Sequence, residues 1–362
     1  MNRVGSISIL HVIFLSMTMI GLKNHVTIIP SVLKGAGRDG WISILLAALI
    51  TFPWIFLLVY IHTKSNREPL MDWVEIKIGK TVTAIVRYTI VIVLIVLAAF
   101  TMAETLQWIS AMFLPTTPIP LMLIVYTIVC ILLVSTNLQT IAMVNVFVLF
   151  WVTVLGFFIA FTNMQVKNYE LLRPFFEHGL QPVLKSAVFP ASGFVEILLF
   201  LFIQQKVKDS FRWYHFAVML FILMGLTLGP TIGAITEFGP IEATKLRYPA
   251  YEEWGLGSLG AYIQHFDFLS IYQWLTGGLI RVGLLLYIAA DLLKMTGDRQ
   301  RIARILGPVF FFATLSLFLL KDHVFTLIKG DYLLVGNFVF MFLLSLFLGL
   351  IALISGKKSK KV

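Results

Sequence analysis

Residues 182–205 read PVLKSAVFPASGFVEILLFLFIQQ, apolar enough to lie in a bilayer yet carrying Pro190, Ala191, Ser192 and Gly193 at its middle. Proline removes a backbone donor and clashes with the preceding turn, and glycine weakens a helix, so this spacing predicts two half-helices. Broken backbone is tolerated in hydrocarbon only where it faces protein or a cavity. A second apolar stretch, 7–34, is interrupted in the same manner by Gly21, Lys23, Asn24 and His25, and then by Pro30. Paired interruptions in corresponding positions of two halves point to a transporter-type binding site near the bilayer midplane.

Working outward, the 362 residues are 59% hydrophobic and 13% charged. That balance lies outside the range of soluble domains and defines a polytopic membrane protein whose partner is lipid. The net charge of +10 does not indicate nucleic acid, because the basic residues sit between apolar runs rather than along one face. Cys130 is the single cysteine and lies in an apolar run, which excludes a disulfide framework and a cysteine metal site. The N-terminal sequence runs into the first apolar stretch without a small-residue cleavage site, so an uncleaved first span is expected.

Counting apolar runs of about 20 residues predicts an all-α fold of ten transmembrane helices. The expected spans are 7–34, 40–62, 83–113, 120–137, 140–162, 183–205, 211–236, 266–294, 302–320 and 332–354. They form one membrane domain in two repeats, 7–162 and 183–354, followed by a short basic tail, 355–362. Each repeat opens with a discontinuous helix, and an odd number of spans per repeat makes the halves inverted. The third and eighth spans are long, as tilted helices in equivalent positions would be. Lysine and arginine place both termini in the cytoplasm: Arg3, Lys64, Arg67, Lys80, Arg87, Lys206, Arg212, Arg299, Arg301, Arg304, Lys360 and Lys361 fall on one side. Lys23 and Arg281 fall inside spans. Residues 63–82, with Asp72, Trp73, Glu75 and Lys77, read as an interfacial helix, and 237–265 as an outer lid or docking loop.

The half-helix starting near Gly193 would point free N–H groups toward its break, with Lys23 and Asn24 of the first break beside it. Donors of that kind suit a carboxylate, and carbonyls freed by unwinding suit an ammonium, so the expected ligand is a small zwitterion. The alternative is that Pro190 and Gly193 only kink a membrane helix. Glu104 lies deep in the third span among Thr101, Thr105, Gln107 and Trp108, and an intramembrane carboxylate requires a partner. Arg281 in the eighth span is the opposite charge expected for it, either as part of a site or as a structural ion pair. Glu196 is expected to cap the second half-helix. Ser16 and Thr18 could coordinate a cation, although hydroxyls on membrane helices more often bond their own backbone. His11 reads as a packed residue. Phosphate-binding loops, HExxH and GxSxG are absent, and no cofactor or enzymatic activity is expected.

Three features together resemble the B-subunit family of endospore germination proteins: the broken first span, the turn PSVLKGAGRDGWIS at 30–43, and FPASGFVE at 189–196. These are permease-like subunits of germinant receptors within the amino acid, polyamine and organocation superfamily. The resemblance covers essentially the whole chain. It implies a leucine-transporter-type fold, with nutrient held between the first, third, sixth and eighth spans. It also implies the spore inner membrane, or the cell membrane in the mother lineage, with an A-type membrane subunit and a C-type lipoprotein as partners. The ligand-facing positions it implies are Gly21, Lys23, Asn24, Glu104, Gln107, Pro190, Ser192, Gly193 and Glu196. Lys23 departs from the small-residue break of typical amino acid transporters, and its charge would repel sodium. A proton-coupled amino acid permease is the competing expectation.

Overall fold

Within hydrocarbon a chain of such runs satisfies its amides by forming helices. The computed structural model describes residues 6–259, 263–264 and 266–358. Arg3, residues 359–362 of the basic tail and part of the 237–265 loop lie outside the described residues.

The chain opens with α1 (Ile9–Leu22), a π-helical turn (Lys23–Thr27) and α2 (Ile29–Ala36). Gly37, at φ 54°, reverses the chain into α3 (Gly40–Thr51) and α4 (Trp54–Lys64). Next come α5 (Leu70–Ile78), α6 (Lys80–Met112), α7 (Ile119–Val134) and α8 (Leu138–Thr162). α9 (Leu180–Ser186) and α10 (Val188–Phe194) lead into a 3-10 helix (Val195–Lys206), then α11 (Trp213–Phe238). Short helices α12 (Pro240–Ala243) and α13 (Pro249–Leu256) precede a two-residue hairpin, and α14 (Ser270–Leu292) follows. The chain closes with α15 (Arg299–Arg301), a π turn (Ile302–Leu306), α16 (Gly307–Leu317), α17 (Asp322–Leu327), a second π turn (Ile328–Leu333) and α18 (Leu334–Lys358).

Among the described residues, 8 helices are long and apolar enough to cross a membrane. The other two expected crossings are shorter: α7 has 16 residues, and 302–320 resolves into the π turn and α16. At 33 residues α6 is about 50 Å long, more than a hydrocarbon core of about 30 Å, as expected for a tilted third span. α14 has 23 residues and lacks that excess.

Burial identifies the centre. The most apolar window is 89% buried in 180–206 and 78% in 267–292, against 22% in 138–165. The first two form the core of the bundle, and α8 turns most of its surface outward. Within 63–82 the chain forms the short helix α5, whose Leu70, Met71, Trp73 and Val74 are buried in the protein, while Asp72 and Glu75 both meet Arg87 at 3.3 Å.

The interruptions differ from the sequence expectation. Neither is an unwound gap; both are changes of helical pitch. At Lys23–Thr27 the helix widens by one residue per turn, with Ile28 N–H donating to the Lys23 carbonyl at 3.1 Å. At 188–206 the chain stays helical, because Pro190 falls in the first turn of α10, where a missing N–H is tolerated. The free half-helix start expected at Gly193 therefore does not form; instead a 12-residue 3-10 segment begins at Val195, long for that geometry. Gly193 serves close approach, since a Cβ there would lie 1.8 Å from Asn24 Oδ1. A true helix defect occurs at Pro230 inside α11, whose lost N–H leaves the Leu226 carbonyl to accept from His25 Nδ1 at 3.2 Å.

Gly193→Ala forces Asn24 aside and is expected to cost roughly 1–3 kcal/mol, the usual range for overpacking. Gly225→Ala, with nothing within 4 Å of its Cβ, should be neutral or stabilising. Thermal unfolding of the two variants in detergent checks the contrast.

Candidate functional site

Glu196, fully buried on the 3-10 segment, is the hub of the site. Its Oε1 accepts from Lys23 Nζ at 2.8 Å, Arg281 Nη2 at 3.1 Å and Asn337 Nδ2 at 3.1 Å, and its Oε2 from Arg281 Nη1 at 2.8 Å. The Ser192 carbonyl, one turn earlier, accepts from Lys23 at 3.0 Å and Asn337 at 2.8 Å. Arg281 also donates to the Met19 carbonyl at 2.6 Å and to Thr101 Oγ1 at 3.1 Å. One carboxylate thus ties together α1 with its π turn, α6, the 3-10 segment, α14 and α18. The π turn is what swings Lys23 into this position, and the 3-10 pitch brings Glu196 beneath the Ser192 carbonyl.

A second pair lies one layer outward. Lys329, on the second π turn, donates to Glu104 Oε1 at 2.5 Å, and Thr27 to Oε2 at 2.7 Å. Between the two pairs is a cavity lined by Leu22, Lys23, Val26, Thr27, Thr101, Glu104, Thr105, Trp274 and Arg281. Its free space holds about one water molecule. In this conformation the site is too small for an organic ligand. Counted at neutral pH, Lys23, Arg281 and Lys329 face Glu196 and Glu104, which leaves one positive charge in excess.

Residues 247–254 form a cover beside the cavity, packed on its Trp274 wall. Arg247 bridges Asp322 at 2.9 Å and Gln107 at 3.2 Å. The Tyr248 ring lies 5.1 Å from Trp274 and 5.8 Å from Lys329 Nζ, and Trp274 stacks on Trp108 at 4.1 Å. Burial, with Glu104 nearby, holds the Tyr248 phenol neutral, well above its ordinary titration range.

The expected Glu104–Arg281 pair is replaced: Arg281 meets Glu196 and Glu104 meets Lys329. Glu196 does not cap a helix, because its carboxylate is consumed by the ion pairs. Of the positions singled out from sequence, Lys23, Glu104 and Arg281 line the cavity, and Glu196 and Ser192 stand directly behind it. Gly21 packs against Leu226, Pro190 is buried in α10, and Gln107 sits in the outer cover. Asn24 donates to Thr227 at 3.0 Å and presses on Gly193, joining helices rather than facing the cavity. Ser16 and Thr18 bond the carbonyls of Ile13 and Phe14 in their own helix, and among the described residues no group of acidic, histidine or cysteine side chains is placed to hold a metal. Sequence reasoning missed Lys329, Asn337 and Trp274. Lys329 lies between two apolar runs and carries no distinguishing signal, whereas Asn337, a lone amide in the apolar run LLVGNFVF, is one.

These features define an integral membrane protein whose crossing helices converge on a buried ionic cluster and a small cavity. The chain belongs to the spore germination protein family, whose sequence profile matches residues 6–322. It is 38% identical over 335 residues to spore germination protein XB of Bacillus anthracis, covering 90% of this chain and 93% of that one. It is 24% identical over 269 residues to spore germination protein A2 of Bacillus subtilis (strain 168), covering 73% of each.

The pairing has a direct check. Glu104→Gln leaves Lys329 buried without its counter-charge and should cost roughly 3–5 kcal/mol. Adding Lys329→Met should restore part of that loss, whereas adding Arg281→Gln should only deepen it. Denaturation midpoints of the single and double variants decide between the two pairings.

Proposed function

We propose that this chain is the permease-like subunit of a nutrient germinant receptor, binding a small zwitterionic nutrient, an amino acid first among candidates, at the pitch changes of its first and sixth spans. The observation that carries the reading is the cavity bounded by Lys23, Arg281 and Glu104. Its single excess positive charge suits an incoming carboxylate, and Glu104 and the carbonyls near the π turn suit an ammonium. Because the cavity holds about one water molecule, nutrient binding requires it to open. A signal then follows from the nutrient's preference for the open arrangement over the closed one.

In this reading α7 and the 302–317 segment complete ten crossings in two inverted repeats of five, with both termini cytoplasmic. The membrane is the spore inner membrane, the partners are an A-type membrane subunit and a C-type lipoprotein, and no chemistry is catalysed. A proton-coupled amino acid permease is the second reading, favoured by one observation: Glu104 borders the cavity while bound to Lys329 and Thr27.

Spores lacking the gene, exposed to single amino acids, sugars and nucleosides, are expected to lose the response to one nutrient. Wild type should restore it, and Lys23→Met at equal protein level should not. Unchanged germination together with lost uptake of a labelled amino acid would favour the permease instead.

A further inference from the structure

Three elements meet on two carboxyl groups at the outer end of α11. The Glu237 side chain, in the last turn of that helix, is 0% exposed. Glu253 of α13 lies against Gly233, where a Cβ would come within 2.7 and 2.8 Å of its carboxyl oxygens. Asn163, just past α8, donates its amide to Glu237 Oε2 at 2.9 Å and to the Glu253 carbonyl at 2.7 Å. Lys167 Nζ stands 3.4 Å from Glu237 Oε1 and, among the described residues, is the ion-pair partner found for this pair.

The cluster is short of donors. Glu237 Oε1, Glu253 Oε1 and Asn163 Oδ1 are all buried without a hydrogen-bond partner. The Asn163 amide nitrogen is already used twice, so turning the amide over would add a conflict rather than remove one. With both carboxyls ionised, two negative charges would share one lysine in a buried site, an arrangement that closely spaced carboxylates relieve by retaining a proton.

We propose that Glu237 and Glu253 form a proton-binding site, and that the single proton they hold latches α13 against the Trp108–Trp274 stack at the cavity wall. The proton converts one unpartnered oxygen into a donor and leaves one negative charge facing Lys167. A metal ion is disfavoured there because the Lys167 ammonium already occupies the approach to Glu237, and no group of three or more acidic, histidine or cysteine side chains is placed to hold one among the described residues. Acting on Glu253 are the Glu237 charge from α11, the Lys167 charge from the segment after α8 and the Ala234 backbone N–H, which donates to its carboxyl. On α13 itself, Tyr251 donates to Asp267 at 3.4 Å, and Glu252 is under the influence of that same Asp267. Burial first, and then the Glu237 charge, push the Glu253 carboxyl well above the usual carboxylate range. A carboxyl whose proton is held more tightly in the latched state stabilises that state at low pH and stops doing so as the pH rises through its latched-state titration. Release of α13 would carry Arg247 and Tyr248 off Gln107 and Trp274, so the latch controls access to the cavity whatever nutrient enters.

The test is hydrogen–deuterium exchange of the 250–256 amides in the purified full-length protein, corrected for intrinsic rates, from about pH 6 to about pH 9, where buried carboxyls titrate. The parent is expected to lose protection at least about tenfold as pH rises, a change of about 1.4 kcal/mol. Glu253→Gln should stay protected throughout, and Lys167→Met should shift the loss to higher pH. If Glu253→Gln does not fold, Glu237→Gln carries the same comparison, because one proton serves both groups. A flat parent profile, a glutamine variant that follows the parent, or protection that tracks added Na+, K+ or Ca2+ instead of pH would overturn the proposal. None of these readouts depends on nutrient binding, so the latch and the receptor reading fail separately.

Discussion

A buried carboxylate without partners costs several kcal/mol, and Glu196 is fully buried in the most enclosed helix of the bundle. Everything around it answers that constraint. Lys23 reaches it because a π turn interrupts the first span, Arg281 because α14 runs through the core, and Asn337 because an amide is set into the otherwise apolar α18. Removing Lys23 or Arg281 would leave the cluster's charges unbalanced and removing Asn337 would cost a buried hydrogen bond, so the packing of five helical elements is linked through this one cluster.

That linkage bears on function. Helices that move relative to one another in a permease-like protein must exchange these partners rather than merely slide. The Glu104–Lys329 pair lies on one side of the cavity and the Glu196 hub on the other, with Thr101 contributing to the hub from α6. The cavity between them is small, and Tyr248 and Trp108 pack on Trp274 in its wall. A ligand carrying its own charges could enter by substituting for one of the internal pairs, which would couple occupancy to helix arrangement without any covalent step. The excess cation gives a carboxylate the first claim.

Much of this was legible in the sequence. Apolar run length marked the eight helices long enough to cross, two fewer than the ten expected, and polar residues inside the apolar runs marked Lys23, Glu104, Glu196 and Arg281, because such residues are costly unless they are used. What the sequence could not fix was the pairing. Glu104 and Arg281 are both near the cavity, and only the π turns at 23–27 and 328–333 decide that Lys23 and Lys329 reach further in. Helical pitch changes of this kind follow from tertiary packing rather than from residue preference. For the same reason Pro190 and Gly193 read as a break. Proline in a first turn and glycine under Asn24 satisfy the backbone locally, and the helix continues with a tighter pitch. Lys329 escaped notice because it lies between two apolar runs, where lysine is ordinary.

The central claim is that Glu196 and Lys23 hold the first and sixth spans together as a buried ion pair. A double-mutant cycle on unfolding stability, using Lys23→Met, Glu196→Gln and the double variant, measures that pair directly. The account requires a coupling toward the upper end of the roughly 0.5–3 kcal/mol found for residues in contact. Additivity within about 0.3–0.5 kcal/mol, the behaviour of distant sites, would contradict it.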